Sequence, residues 1–316
     1  MNKKEFDLII IGAGASGLTA AIYAARRTLS TLVLAKDIGG QANLASHIEN
    51  YPGFDPTSGF ELMNKMKTQA EGFGAQFLLQ EVKEINKQGT SFQIVTTQSE
   101  FSARAIILAF GLTPRDLGVP GEQEFKNKGV SYCVNCDGPL FKGKTVMVVG
   151  GGNSALDAAE YLSRITSQVY LIHRGDSFRG EHCLVERVEK MKNIKIFFNS
   201  EIAEIKGENK VTSALVKNNQ TTQEQELSCD GVFVEVGYVA KTDLIKDLVE
   251  LNERRQIKIN RDCETSCPGI FAAGDITDIA YKQVVIAAGE GAKAALQVYK
   301  HLQQEKGKPI KVDWGR

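Results

Sequence analysis

The sequence predicts an α/β protein of two dinucleotide-binding, Rossmann-like domains, the second inserted into the first. Three observations carry that expectation. Asp7-Leu-Ile-Ile-Ile-Gly-Ala-Gly-Ala-Ser-Gly17 recurs as Thr145-Val-Met-Val-Val-Gly-Gly-Gly-Asn-Ser-Ala155, so a short apolar run opens twice into a glycine turn and a helix. The chain has 316 residues, more than one hydrophobic core usually serves. Phe110-Gly-Leu-Thr-Pro114 and Gly237-Tyr-Val239 read as a crossing out of the first domain and a return. The boundaries are then 1–112 with 241–316 for the outer domain and 113–240 for the inserted one.

Phe6-Asp-Leu-Ile-Ile-Ile11 has the continuous β-branched character of a parallel strand covered on both faces. In the turn that follows, Gly12 permits the tight bend, Gly14 lets the backbone approach a pyrophosphate, and Gly17 lets helix and strand pack closely. A helix over 18–27 offers its amino end to the phosphates. A strand at 31–35 comes at the right distance, and Asp37 lies near where an acid holds a ribose hydroxyl, although that strand itself ends without one. Gly39-Gly-Gln41 and Glu49-Asn-Tyr-Pro-Gly53 read as loops. A helix at 60–73 and strands at 77–82, 92–97 and 103–109 complete this half.

In the second copy Gly150, Gly152 and Ala155 take the three glycine positions, a helix runs over 155–165, and a strand over 169–172 ends in His173-Arg174-Gly175-Asp176-Ser177-Phe178-Arg179. A histidine and arginines, where an NAD site often has an acid, suit the extra phosphate of NADP; the alternative is a solvated basic turn. Strands with polar turns fill 194–236. Gly269-Ile-Phe-Ala-Ala-Gly-Asp275 is a strand running into an acid, and an alanine-rich helix spans 283–301.

Lys plus Arg balances Asp plus Glu at 38 each, so no basic field attracts nucleic acid or an anionic membrane. The uncharged run 8–25 after Lys3-Lys4 is too broken by glycines 12, 14 and 17 to be a membrane helix. Six cysteines make no disulfide scaffold in a chain this long; together with one redox pair they fit a reducing cytoplasm. That pair is Cys133-Val-Asn-Cys136, followed by Asp137. At a helix start the thiolate is stabilised by backbone N–H groups, and the carboxylate is placed to give or take the proton of each exchange step. The alternative is structural zinc, which needs four ligands where His and Cys are sparse. Cys263 and Cys267 read as two unconnected loop cysteines, with a second pair as the alternative.

With these pieces in order, the chain resembles the low-molecular-weight thioredoxin reductases over nearly its whole length. The matching residues are Gly12 to Gly17, Gly39-Gly-Gln41, Glu49-Asn50, Pro114-Arg115, Gly129-Val-Ser-Tyr-Cys-Val-Asn-Cys-Asp-Gly138, Gly150 to Ala155, and Gly269 to Asp278 followed by Gln283-Val284. The resemblance implies a homodimeric, cytoplasmic flavoprotein without a metal, passing electrons from NADPH (or NADH) through FAD and a Cys133/Cys136 disulfide to thioredoxin or a thioredoxin-like protein. It implies that Gly12, Gly14, Ser16, Gly17, Asp37, Gln41, Asn50, Val82, Gly111, Asp275, Lys282, Gln283 and Val284 serve FAD. Gly152, Asn153, Ser154, His173, Arg174 and Arg179 would serve the nicotinamide nucleotide, and Asp137 would be the acid/base. The inserted domain would rotate on hinges near 111–114 and 237–240 to bring dithiol and nicotinamide in turn to one flavin.

The family's nucleotide motif has two arginines after the histidine, and here Gly175 stands in place of the second. Losing one charge-assisted contact, about 1.5–3 kcal/mol at a dry site, weakens the preference for NADPH. NADH or a reduced ferredoxin is therefore the alternative donor.

Overall fold

The computed structural model describes residues 4–45, 48–305 and 307. Lys3 and the domain ends at 1 and 316 lie outside the described residues. The chain forms two compact units, one made of both chain ends, up to Leu112 and from Ala240, the other of Thr113–Val239.

In chain order the elements are β1 (Lys4–Ala13), α1 (Ala15–Ala25), β2 (Thr31–Ile38), α2 (Gly59–Gly72), β3 (Gln76–Leu79), β4 (Val82–Gln88), β5 (Ser91–Thr96) and β6 (Glu100–Leu108). Next come β7 (Thr113–Pro114), β8 (Val130–Ser131), α3 (Val134–Asp137), β9 (Thr145–Val149), α4 (Asn153–Ser163), β10 (Gln168–Ile172), α5 (His182–Glu189) and β11 (Ile194–Phe197). The rest are β12 (Ser200–Gly207), β13 (Val211–Asn218), β14 (Glu224–Ser228), β15 (Gly231–Val234), β16 (Tyr238–Val239), β17 (Ile270–Ala272) and α6 (Val284–Glu305).

The outer unit is a seven-stranded sheet, six strands in the order β3-β2-β1-β6-β5-β4 and the seventh, β17, beside β6. The first half of β6 pairs antiparallel with β5, and its second half pairs parallel with β17. β1 is parallel to both β2 and β6. Ile9 and Ile10 sit on its opposite faces in separate core clusters, which is why the strand is apolar without alternation. α1 is buried at all but one of its residues, and Gly291 of α6 has no room for a side chain against the Ser16 backbone. Residues 77–82 do not form one strand: β3 extends the β2 edge, and β4 lies at the far edge beside β5. β2 runs on to Ile38, so Asp37 lies inside it. The segment after Gly39 forms a 3-10 helix over Gly40–Leu44.

The inserted unit carries a five-stranded parallel sheet, β11-β10-β9-β15-β8, and an antiparallel one, β12-β13-β14. β9 is the first strand of its glycine unit, and the chain order reverses between β9 and β15. That gap is the switch point where such sheets bind ligands. The two crossings pair with each other: Thr113 lies opposite Val239 and Pro114 opposite Tyr238. α5, absent from the sequence reading, shows itself only in Leu184 and Val188, buried one turn apart.

Candidate functional site

Cys133 and Cys136 are bonded through their sulfurs. Cys133 is the N-cap of α3, and the Cys136 N–H donates to its Sγ at 3.1 Å. α3 is a single turn, so this one N–H, rather than the dipole of a long helix, is what reaches the sulfur. Ser131 Oγ donates to Asp137 Oδ2 at 2.6 Å and accepts from the Cys133 N–H at 3.0 Å. One hydroxyl thus fixes the carboxylate against the loop that carries the disulfide. A cavity of about 90 Å³ lined by Asn127, Gly129, Ser131, Asp137 and Phe141 leaves room for water beside that carboxylate. Cys136 is the exposed member of the pair and Cys133 is half-buried.

Tyr132, between Ser131 and Cys133, donates to Asp116 Oδ1 at 2.8 Å and Glu122 Oε1 at 2.9 Å. Burial and these two carboxylates push its pKa up, so the phenol stays protonated. Glu122 is buried and accepts the Leu117 and Gly118 N–H groups at 2.7 Å each. This anchor is not visible in the sequence, because its parts are brought together by folding alone. Cys263 is wholly buried and its thiol is pushed up to about 11 by desolvation. Neither it nor Cys267 is bonded, which leaves them as separate thiols. Among the described residues no group of three or more His, Cys, Asp and Glu side chains is placed to hold a metal ion, and no helix is long and apolar enough to cross a membrane.

At the second glycine turn Gly150 adopts φ 153° and a Cβ there would lie 2.3 Å from the Glu235 carbonyl oxygen. Gly152 caps α4 and has open space where a Cβ would point. Asn153 Oδ1 accepts from the Glu181 N–H at 2.8 Å, Ser154 is exposed, and the Arg179 N–H donates to the Gly151 carbonyl at 2.8 Å. The segment after β10 is thereby folded over the turn. His173 does not supply the charge expected of it: its ring is buried against Gly151 and stacked on Phe178, and Nε2 contacts the Ser177 carbonyl at 3.0 Å. Burial holds its pKa below the usual histidine range. Arg174 and Arg179 are exposed and carry the positive charge here.

The outer unit repeats this geometry. A Cβ on Gly12 would meet the Ala109 carbonyl at 2.3 Å, whereas one on Gly14 would find only the Gly39 carbonyl oxygen, at 3.8 Å. Ser16 is buried at the start of α1, and a Cβ on Gly17 would lie 1.9 Å from the Gly12 carbonyl oxygen. Asp37 Oδ1 accepts the Gly40 N–H at 3.0 Å and so closes the turn beside Gly14. Gln41 Nε2 donates to the Leu112 carbonyl at 2.9 Å, next to Gly111 with φ 61°. Asn50 Nδ2 donates to Gln283 Oε1 at 3.0 Å, joining opposite ends of the chain at the start of α6. Val82 is half-buried at the head of β4. Desolvation raises the pKa of Asp275, and Lys282 opposes it. Lys282 Nζ donates to the Thr277 carbonyl at 2.8 Å. Sequence reasoning missed Glu290, a buried carboxylate on α6 that accepts the Gly274 N–H at 2.8 Å and fixes the turn before Asp275.

Two glycine turns with open faces and a bonded cysteine pair define a nucleotide-dependent disulfide oxidoreductase, and residues 6–292 match the model of the pyridine nucleotide-disulphide oxidoreductase family. The chain is 45% identical to a thioredoxin reductase of Treponema pallidum over 293 residues, 92% of this chain and 95% of that one. It is 41% identical to a thioredoxin reductase of Bacillus subtilis over 305 residues, 96% of each. The crystal structure of Lactococcus lactis thioredoxin reductase aligns with a TM-score of 0.87 at 38% identity, over 95% of this chain and 99% of that one. The chain belongs to the thioredoxin reductase family.

Proposed function

We propose that the protein is an FAD-dependent thioredoxin-disulfide reductase drawing its electrons from a pyridine nucleotide. The carrying observation is the Cys133–Cys136 disulfide beside a carboxylate held by Ser131, in the same unit as a glycine turn with an open face. The outer unit fits FAD: Gly12 and Gly17 bring the turn close, and Gly14 leaves its upper side free. In this reading Asp37, Gln41, Asn50, Val82, Gly111, Asp275, Lys282, Gln283 and Val284 contribute the further contacts to FAD. When bound, FAD supplies two-electron transfer between a reduced nicotinamide and a disulfide.

The chain's own residues do the rest. Reduction of Cys133–Cys136 takes up two electrons and two protons and breaks the S–S bond; Asp137 moves a proton at the cysteine sulfur, and water in the adjoining cavity replenishes it. The thiolate of one cysteine of the pair then attacks the partner's disulfide. A mixed disulfide forms, the partner leaves as a dithiol, and the second cysteine closes the bond again. At the second turn Gly152, Asn153 and Ser154 face the pyrophosphate, and Arg174 and Arg179 flank a 2′-phosphate. The reading includes a homodimer and a cytoplasmic location, the latter supported by free thiols at Cys183, Cys229, Cys263 and Cys267.

Anaerobic mixing of the oxidised flavoprotein with NADPH, NADH or reduced ferredoxin tests the donor. NADPH should bleach the flavin absorbance, and added thioredoxin disulfide should restore it. Bleaching by ferredoxin alone would replace the nucleotide reading.

A further inference from the structure

The internal repeat makes one position unusual. In the outer unit the Ala109 N–H donates to the Ile11 carbonyl at 2.8 Å, and the Ala109 carbonyl closes on Gly12. In the inserted unit the Glu235 N–H donates to the Val149 carbonyl at 2.8 Å, and its carbonyl closes on Gly150. The two residues are structural counterparts, so a carboxyl stands where the first copy has a methyl.

The β15 ladder continues through Glu235, and alternation gives the direction of its side chain. Val232 and Val234 belong to one core cluster; Phe233 belongs to the other, with α4 and Val134 of α3. Glu235 follows on the Phe233 side, at the carboxyl end of β15 and beside the switch point. Among the described residues no hydrogen bond or ion pair engages its carboxyl oxygens. The side chain is half-buried and its carboxyl oxygens keep access to solvent, so at the switch point they are free to meet a ligand.

The course of a dinucleotide over this sheet decides which part arrives there. The turn after β9 takes the pyrophosphate, and the segment after β10 carries the arginines that suit the adenosine 2′-phosphate. The other half must therefore cross to β15 and β8, toward Glu235 and the disulfide. We propose that Glu235 is a specificity-determining residue that reads the nicotinamide carboxamide, its carboxyl donating one hydrogen bond to the amide oxygen and accepting one from the amide nitrogen. The assignment rests on the pyridine-nucleotide reading of the inserted unit.

The protonation state agrees. Desolvation pushes the Glu235 carboxyl up to about 8, and burial is the sole cause acting on it. Around it, Val149, Gly150 and Ala155 carry no charge; Asp137 on α3 is held by Ser131 and Asp157 on α4 is exposed. A neutral carboxyl matches a neutral reduced ring and its amide. A carboxylate would instead favour the cationic oxidised ring and retain the product.

The test uses the complete flavoprotein, reduced anaerobically with dithionite so that added NADPH binds without turnover, with NADPH fluorescence as the readout. Competition by 2′,5′-ADP, which lacks the nicotinamide, serves as the control. Wild-type affinity for NADPH should fall about ten-fold from pH 7 to 9.5, with 2′,5′-ADP unaffected. Glu235→Gln should bind nearly as tightly as wild type at pH 7 and remain level with pH. Glu235→Ala, the residue of the first copy, should bind about ten-fold more weakly at pH 7 and also remain level. A flat wild-type profile, or the same fall in Glu235→Gln or with 2′,5′-ADP, would overturn the assignment. Failure of both NADPH and 2′,5′-ADP to bind would overturn the nucleotide reading itself, and the assignment with it.

Discussion

Ser131 and Asp137 share a 2.6 Å hydrogen bond that ties the end of β8 to the one-turn helix carrying Cys136. The carboxylate is thereby held in one orientation beside the cysteine pair. Asp137→Asn should slow disulfide turnover by about 10²–10⁴ with flavin reduction spared. Ser131→Ala should slow it by about ten-fold through lost orientation, and Ser131→Thr, which keeps the hydroxyl, should recover most of it. Stopped-flow separation of flavin reduction from thioredoxin reduction checks all three; equal slowing of both steps would show a general structural effect.

Cys136→Ser should abolish thioredoxin reduction and leave the flavin bound and coloured. The measurement is NADPH-dependent reduction of thioredoxin by the purified variant. Near-normal turnover would assign the reaction to other cysteines.

Glu290→Ala leaves the Gly274 N–H without its acceptor and opens a space beneath the turn that precedes Asp275. The expected loss is about 1–3 kcal/mol, seen as a lower Tm together with a reduced flavin-to-protein ratio after gel filtration. An unchanged ratio would confine Glu290 to a role away from the cofactor.

Gly175→Arg sets two effects against each other. The new guanidinium would join Arg174 and Arg179 at the 2′-phosphate, but a Cβ at 175 would lie 2.8 Å from His173 Nε2, which already contacts Ser177. Selectivity for NADPH over NADH, compared by kcat/KM, should rise by about ten-fold, with a lower Tm. An equal change for both nucleotides would show that the phosphate is not read there.

Glu235 also makes stability depend on pH. The unfolded chain releases this proton near the ordinary value of 4.5, the folded chain near 8. The native state therefore holds more protons between those values, and stability falls as pH rises through that window, levelling above it. Glu235→Gln removes the slope. Its advantage in thermal melts should be small near pH 5 and grow to about 1–3 kcal/mol by pH 8.5; a constant difference would place the titration elsewhere.

The parts of this site that were legible in the sequence are those whose meaning is local. Gly12 and Gly150 each follow a β-branched strand and precede a helix, and Cys133 and Cys136 sit one turn apart before an acid. The illegible parts depend on burial set by distant segments. His173 follows a strand and precedes an arginine, which reads as charge, yet Gly151 leaves a space that its ring fills. Glu122 and Glu290 look like solvated acids in sequence, because enclosure by elements far along the chain gives each its role, and Glu235 is half-covered in the same way. The split of 77–82 into two strands had the same origin: the choice of sheet edge is made by partners, not by the run itself.

The pairing of Thr113 with Val239 bears on how such a chain came to fold at all. Closing a loop costs entropy that grows with its length, and an unstructured insertion as long as the inserted unit would impose that cost on the outer sheet. Clasped at its base by β7 and β16, the insertion presents Leu112 and Ala240 to the outer unit as neighbours. The outer sheet then assembles as though a short hairpin joined them. A guest with its ends already together can be acquired, exchanged or circularly permuted without disturbing its host.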